Sequence, residues 1–483
     1  MSKQDKAFVK EITPQSEDYS QWYLDVVLKA QMMDYSPVKG CMVIRPYGFT
    51  LWENMQQRLD RRIKETGHRN AYFPLFIPES LLQKETDHVE GFAPEVAWVT
   101  HGGNEKLAER LVVRPTSETI ICEMYSKWIQ SYRDLPVLIN QWCNVVRWEK
   151  VTRPFLRTSE FLWQEGHTAH RNEEEAEEET LKMLEVYRDF VENDLAIPLF
   201  VGRKTENEKF AGALRTYSIE ALMSDGKALQ AGTSHNLGTH FAKVFEITYL
   251  DRDGELKFVW QTSWGVSTRL IGAIIMVHGD DRGLVLPPKV APTQVVLVPI
   301  APKKVREEVL AKTAILFEEL RTTGIRIEMD DREEYSPGWK FNEWEMKGVP
   351  LRIEVGPRDL EAGQALLARR DTGDKETVSL GDLKTRVPAL LAEIQANMFE
   401  KAKKSRDDNT RRTDDYAEFK QIIEEKRGFV LSRWCGDSAC ELAVKEETKA
   451  TIRCIPFNME TSPGKCLHCG SESSKLVYFA RAY

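Results

Sequence analysis

The chain has no long apolar run. Its longest purely apolar stretch, Ala273 to Val277, falls far below the ~20 residues that a membrane-crossing helix needs. The opening residues, MSKQDKAFVKEI, hold no apolar core of the kind that marks a secretory leader. A basic surplus is also missing: 67 Lys and Arg stand against 75 Asp and Glu, a net charge of −8. That excludes a uniformly basic surface, so a nucleic-acid partner must meet local patches. Cysteine is scarce until the end, where five of the eight fall between Cys435 and Cys469. The expectation is a cytoplasmic protein with reduced thiols and no membrane partner. Clustered thiols in such a compartment favour a metal over disulfides. The remainder, 42% hydrophobic and 29% charged, is ordinary globular composition. Its 483 residues suffice for about three domains.

One stretch, Asn144 to His167, combines unusual residue types. Read as two strands joined by a basic loop, it puts Val145, Arg147 and Glu149 on one face of the first strand. Phe161, Trp163, Glu165 and His167 then share one face of the second. Arg153, Pro154 and Arg157 lie in a loop too long for a tight turn. Guanidinium groups fork phosphate or carboxylate oxygens, and aromatic rings offer a surface for a base. The mixture suits a site that holds a polyanion and a flat ring together. A solvated hairpin with incidental ion pairs is the alternative on pattern alone.

Upstream, Thr50 and Glu53 have the spacing of a capping box. Leu51, Met55, Leu59 and Ile63 make an apolar helix face, and Gly67 is placed to end it. NAYFPLFIP follows as a strand run interrupted by Pro74, which implies an edge or a bulge. Such an edge is either a dimer seam or one covered by its own chain. Arg114 to Glu118 leads into a helix whose stripe of Ile120, Ile121, Met124, Tyr125, Trp128 and Ile129 reads as core. Thr116, Ser117 and Glu118 at its entrance read as caps. Asn172 caps an acidic-fronted helix, EEEAEEET, which reads as a solvated face. Residues 226–240 are rich in small residues that let backbone approach a ligand. His235 among them is either a ligand contact or a hydrogen-bonded core histidine. Arg269 opens a helix beside an apolar run, where a charge needs an anionic partner or a route to water.

Pro287 to Pro292 mark a break. Beyond it, strands QVVLVPI, IRIEMDD and VPLRIEVG alternate with helices over Pro302–Thr323 and Pro337–Lys347, which argues a separate α/β domain. Lys401–Asp415 reads as a charged linker, and the last ~70 residues as a third unit. There Cys435-x4-Cys440 and Cys466-x2-Cys469, 25 residues apart, fit a four-thiolate Zn²⁺ site. Four cysteines leave no open position, so the site is structural. Cys454 and His468 are the competing ligands.

Together these motifs resemble the prolyl-tRNA synthetases, class II aminoacyl-tRNA synthetases, in their compact type. The resemblance rests on the Pro74 strand with its preceding helix, RPTSE at Arg114–Glu118, NVVRWE…FLRTSEFLWQEGH, LQAGTSHNLG, WGVSTRLIG, PGWKFNEWEMKGVPLRIEVGPRD and the cysteine quartet. It spans nearly the whole chain. It implies an α+β fold: an antiparallel class II catalytic sheet with helices over 1–287, then an α/β anticodon-binding domain over 288–400. After the 401–415 linker comes a small α+β zinc-binding domain over 416–483. It implies a homodimer, with L-proline, ATP with Mg²⁺ and tRNA(Pro) as substrates and a structural Zn²⁺.

Residue roles follow from the same resemblance. Arg147 and Arg269 are the catalytic pair, the first bridging α-phosphate and proline carboxylate, the second holding the γ-phosphate. Glu149, Arg157, Phe161, Gln230, Thr233 and Ser267 join them around ATP; Ser267 stands where the family often has Thr. Thr116, Glu118, Trp163, His167, Phe210 and His235 join Arg147 around proline. Phe341, Glu345 and Arg352 read the anticodon, although Tyr335 to Arg370 holds six basic and five acidic residues, which is no basic footprint. The terminal Tyr483 packs near the catalytic site. The implied activity is proline–tRNA ligation. Thr168 to Thr262 is too short for an inserted editing domain, so misactivation of alanine or cysteine without hydrolysis in cis is expected. A silent relative acting as a tRNA-binding or regulatory module is the rival. Such a protein should have lost a phosphate arginine, yet Arg147 and Arg269 are both present.

Overall fold

The computed structural model describes residues 12–84, 96–457 and 463–483; the first eleven residues, read above for a leader, lie outside them. Among the described residues no helix is long and apolar enough to cross a membrane. Helix α1, Pro46–Glu65, starts four residues before Thr50. Proline at its first position has φ preset and no N–H to satisfy, so the Thr50–Glu53 capping box does not form. The apolar face is as expected: Leu51, Met55, Leu59 and Ile63 are buried. Gly67 follows the C-cap at φ +93°, a left-handed conformation that glycine adopts without strain. The NAYFPLFIP run is two strands. β1, Arg69–Asn70, and a strand over Phe76–Pro78 flank Pro74 and join different sheets.

Helix α2, Glu118–Trp128, buries Ile121 and Tyr125 but ends with Trp128 exposed. Strands β2, Val137–Val146, and β3, Glu160–His170, pair antiparallel. β2 therefore stops before Arg147, so Arg147 and Glu149 lie on extended chain past the strand rather than on its face. Helix α3, Glu173–Asn193, is capped by Asn172. Its acidic run is not simply solvated. Glu179 is buried 3.2 Å from His68, and Glu177 accepts from Arg215 and Asn236. β4 (Leu199–Arg203), β5 (Arg215–Leu222), β6 (Ala228–Gly238) and β7 (Trp260–Ser267) follow, then helix α4, Arg269–His278. These elements use up residues 168–262.

The second domain is a five-stranded sheet. β8 (Val295–Pro299) lies parallel to β9 (Ile327–Met329) and β10 (Leu351–Val355). Helix α5, Pro337–Met346, leads into β10. β11 (Gln364–Arg369) and β12 (Lys375–Ser379) add antiparallel strands. Residues 401–415 are not a linker. Helix α6 runs unbroken over Leu383–Asp408, and β13, Thr410–Arg412, follows. The charges there make i,i+4 pairs, Lys403–Asp407 and Lys404–Asp408, which support an exposed helix face.

The C-terminal unit adds β14 (Phe429–Arg433), helix α7 (Ser438–Thr448), β15 (Thr451–Pro456) and β16 (Leu476–Ala480). It is not separate from the first domain's sheet. One eleven-stranded sheet runs β13-β14-β16-β15-β4-β5-β6-β7-β3-β2-β1, with β15 pairing antiparallel to β4. A buried ion cluster reinforces the junction: Glu220 of β5 meets Lys204 at 2.8 Å and Arg453 of β15 at 3.0 Å. At the sheet's centre Gly166 of β3 faces Trp264 of β7, whose ring atoms lie 2.0 Å from where a Gly166 Cβ would sit. Trp264 is fully buried and cannot yield. Gly166→Ala is therefore expected to lower stability by about 1–3 kcal/mol through overpacking, read as a shift of the urea unfolding midpoint.

Candidate functional site

The centre of the sheet forms the floor of a cavity of about 250 Å³. Alternation along β3 sends Phe161, Trp163, Glu165 and His167 into it, while Gln164 turns to the opposite face and accepts from Tyr187 of α3 at 2.6 Å. β6 contributes Gln230, Thr233 and His235. Residues 230 and 233 differ in parity, but a bulge opposite Ile219–Glu220 inserts an extra residue and re-aims Gln230. Ser267 closes β7, and its Oγ accepts the backbone N–H of Arg269 at 3.2 Å. The N-terminus of α4 thus faces the cavity, its helix dipole adding to the guanidinium.

Fourteen residues singled out for the two small substrates line this one cavity: the Thr116–Glu118 pair, Arg147, Glu149 and Arg157 from the β2–β3 connection, and the residues of β3, β6, β7 and α4, with Phe210 between β4 and β5. Val145, expected beside Arg147, is instead packed away. Arg147 Nε donates to Pro115 O at 3.0 Å, and its guanidinium lies 5.3 Å from the Trp163 ring and 5.7 Å from Phe161. Arg157 pairs with Glu149 at 2.8 Å. Arg269 donates to Leu156 O at 3.3 Å and forms no ion pair among the described residues. Burial pushes its guanidinium down to about 10, and the charges of Arg147 and Arg157 add to the shift. A half-buried cation beside two others draws anionic groups.

The other end is carboxylate-rich. Thr116 donates to Glu118, so the residues at the α2 entrance do not cap it; Ser117, the N-cap, donates to Glu165 instead. Gln141 donates to Glu165 at 2.9 Å, and His167 Nε2 lies 3.0 Å away. Burial raises the Glu165 carboxyl, but the His167 bond and charge, with Ser117 and Gln141, bring it down to about 2. Burial likewise lowers His167, and Glu165 raises it above its ordinary value. His235 is different. Burial holds it down at about 4 against the pull of Glu118, so it is neutral, with Nδ1 2.9 Å from Thr216 Oγ1 and its ring 4.7 Å from Phe210. The Trp163 indole N–H is buried with no hydrogen-bond partner among the described residues.

Known proteins share this arrangement's sequence. The family model for the class II tRNA synthetase core domain (G, H, P, S and T) matches residues 98–278. That for an anticodon binding domain matches 294–390, and that for the prolyl-tRNA synthetase C-terminal part matches 416–483. The proline–tRNA ligase of Natranaerobius thermophilus is 67% identical over 485 residues, covering all of both chains. That of Alkaliphilus oremlandii is 64% identical and proline–tRNA ligase 2 of Clostridioides difficile 59%, each over 483 residues and all of both chains. The chain belongs to the prolyl-tRNA synthetase family.

Members of this family are aminoacyl-tRNA ligases, and two further sites of this member fit the assignment. The Sγ atoms of Cys435, Cys440, Cys466 and Cys469 all lie within 4.8 Å of one another. The Cys435–Cys469 separation of 3.9 Å matches the edge of a tetrahedron with Zn–S of about 2.3 Å. These residues fit a structural zinc. The competing ligands fall outside: Cys454 is buried near Tyr478 and Phe429, and His468 sits edge-on to Tyr416. Phe341, Glu345 and Arg352 gather on the second domain. Arg352 lies 4.2 Å over the Phe341 ring, and a cleft of about 130 Å³ has Arg282, Glu345, Arg352, Arg369, Arg370 and Lys375 in its lining. Its cations are each paired with a carboxylate: Arg282 with Glu345, Arg352 and Lys375 with Glu354, Arg369 with Asp371 and Arg370 with Asp280. Tyr483 N donates to Ala228 O at 3.1 Å, and its ring lies 5.5 Å from the Arg153 guanidinium.

Sequence reasoning missed Glu208 and Lys209, which also line the cavity, because a loop offers no periodicity. It noted Glu165 on the right face without assigning it; the Glu–x–His spacing on one strand face was the available signal. The Glu165–His167 pair has a definite pH window. Glu165 stabilises the fold above about pH 4.5, a contribution lost as pH falls towards 2; His167 does so below 6.5, a contribution lost as pH rises through its folded value. NMR titration is expected to place His167 above 6.5 in the wild type and below 6.5 in Glu165→Gln; the opposite order contradicts the pairing.

Proposed function

We propose that the protein activates L-proline with ATP to prolyl-adenylate and transfers the prolyl group to tRNA(Pro). The observation that carries this reading is one cavity with arginines at one end and a buried carboxylate–histidine pocket at the other. The first step joins two anions: a proline carboxylate oxygen attacks the α-phosphorus and pyrophosphate leaves. No general base is required, because the carboxylate is ionised at neutral pH. The barrier is electrostatic and entropic, so fixed positive charge and in-line placement supply the catalysis. Arg147 bridges carboxylate and α-phosphate, and Arg269 holds the γ-phosphate. Arg157, Gln230, Thr233 and Ser267 complete the ATP contacts. Phe161 stacks on the adenine, and Glu149 meets the nucleotide or its Mg²⁺. In the second step a hydroxyl of the terminal adenosine attacks the prolyl carbonyl and AMP leaves.

Proline brings a secondary ammonium with two N–H donors. Thr116 and Glu118 accept them, and Glu118 supplies the countercharge. Trp163, His167, Phe210 and neutral His235 enclose the ring. Burial alone excludes smaller side chains weakly, since a methylene is worth only ~1–3 kcal/mol. Phe341, Glu345 and Arg352 read the anticodon by stacking and edge hydrogen bonds. The protein works in the cytoplasm as a homodimer, a reading supported by free thiols and by exposed Tyr72 and Phe76 beside Pro74. Pyrophosphate exchange with each of the twenty amino acids tests the reading. Proline is expected to give the strongest exchange, and alanine or cysteine a weaker one. Arg269→Ala should lower kcat for proline on the order of 10²–10³-fold. Absence of proline-dependent exchange would sink the proposal.

A further inference from the structure

The loop between β4 and β5, residues 204–214, carries Phe210 into the amino-acid end of the cavity. Phe210 N donates to Thr216 Oγ1 at 3.0 Å, the hydroxyl that also meets His235. The first half of this loop is held by helix α7 of the C-terminal unit. Thr205 Oγ1 donates to Glu441 Oε1 at 2.6 Å, and Asn207 Nδ2 donates to Glu441 Oε2 at 2.9 Å. Lys445, one turn further along α7, pairs with Glu208 at 3.0 Å.

Glu441 is only 3% exposed and Thr205 2%, and Glu441 forms no ion pair among the described residues. Burying a carboxylate without a cation is costly, and packing alone would be served as well by an apolar residue of that length. A carboxylate differs from such a residue in accepting on both oxygens at once. Two donors on one loop use both. Glu441 also follows Cys440 directly on α7, so it projects from the turn that carries one member of the cysteine quartet.

We propose that Glu441 is a positioning residue for the amino-acid pocket: from the C-terminal unit it clamps the 204–210 segment so that Phe210 stands ready against His235. This rests on the reading of Phe210 and His235 as proline contacts. Without the clamp, proline must order the loop as it binds, and its affinity falls by that cost. The ATP contacts on β6, β7 and α4 lie outside the clamped segment.

The test is pyrophosphate exchange with separate proline and ATP titrations on wild type, Glu441→Ala, Glu441→Gln and Thr205→Val, with zinc content and unfolding midpoint measured on each. Glu441→Ala is expected to raise KM for proline about tenfold and to leave KM for ATP within about twofold, the effect of losing two hydrogen bonds at one end of the cavity. Glu441→Gln, which keeps one acceptor, should fall between. Thr205→Val breaks the clamp from the loop side with Glu441 in place, and should also raise KM for proline; it carries the test if Glu441→Ala does not fold. Unchanged proline KM in folded, zinc-loaded variants overturns the proposal, as does a parallel rise of both KM values. A wild-type protein that shows no exchange with proline refutes the pocket reading itself, and that failure is visible without any variant.

Discussion

Arg269 is a half-buried guanidinium at the wall of a cavity, placed beside two other arginines and with no carboxylate partner among the described residues. Most buried charges are neutralised where they stand. This one is held in an environment that lowers its pKa, and the surrounding protein carries the cost. The sheet makes that tolerable. Arg269 is the first residue of α4, anchored by an apolar helix whose Leu270 to Met276 are buried, and its backbone N–H is held by Ser267. Strain of this kind is stored where an anion is to be received.

The opposite end of the cavity solves the reverse problem. Two carboxylates approach the same pocket, and His167 neutralises one through a pair that Ser117 and Gln141 support. The other, Glu118, accepts from Thr116 and also acts on His167 and His235. The cavity is therefore polarised along its length, cationic at the α4 end and anionic at the α2 end. The proposed reading sets the proline zwitterion beside the triphosphate in this field, its carboxylate towards the arginines and its ammonium towards Glu118.

The sequence made the floor of this cavity legible because β3 alternates strictly, and a period of two cannot be mistaken over Phe161 to His167. The positions of Arg147 and Glu149 were harder. Nothing in NVVRWE marks where pairing stops, and the strand ends at Val146. Gln230 became a wall residue only through a bulge, which alternation cannot forecast. Residues 401–415 misled by composition: their charges looked like a solvated linker, but lysines four residues before aspartates also suit an exposed helix. Thr50 misled because Pro46 is the stronger start signal. The charge balance of Tyr335 to Arg370 did not show that Arg282, from before the break at Pro287, joins Glu345 and Arg352 in one cleft. Glu441 could not be read at all, since its partners lie more than two hundred residues away.

The continuous eleven-stranded sheet gives the C-terminal unit a mechanical hold on the first domain, through β15 and the Glu220 cluster. Everything nonetheless returns to the two guanidinium groups that share one cavity. A crystal structure with proline and a non-hydrolysable ATP analogue tests that claim most directly. The account predicts Arg147 within about 3 Å of the α-phosphate and the proline carboxylate, and Arg269 at the same distance from the γ-phosphate. Either arginine turned away from the triphosphate would contradict it.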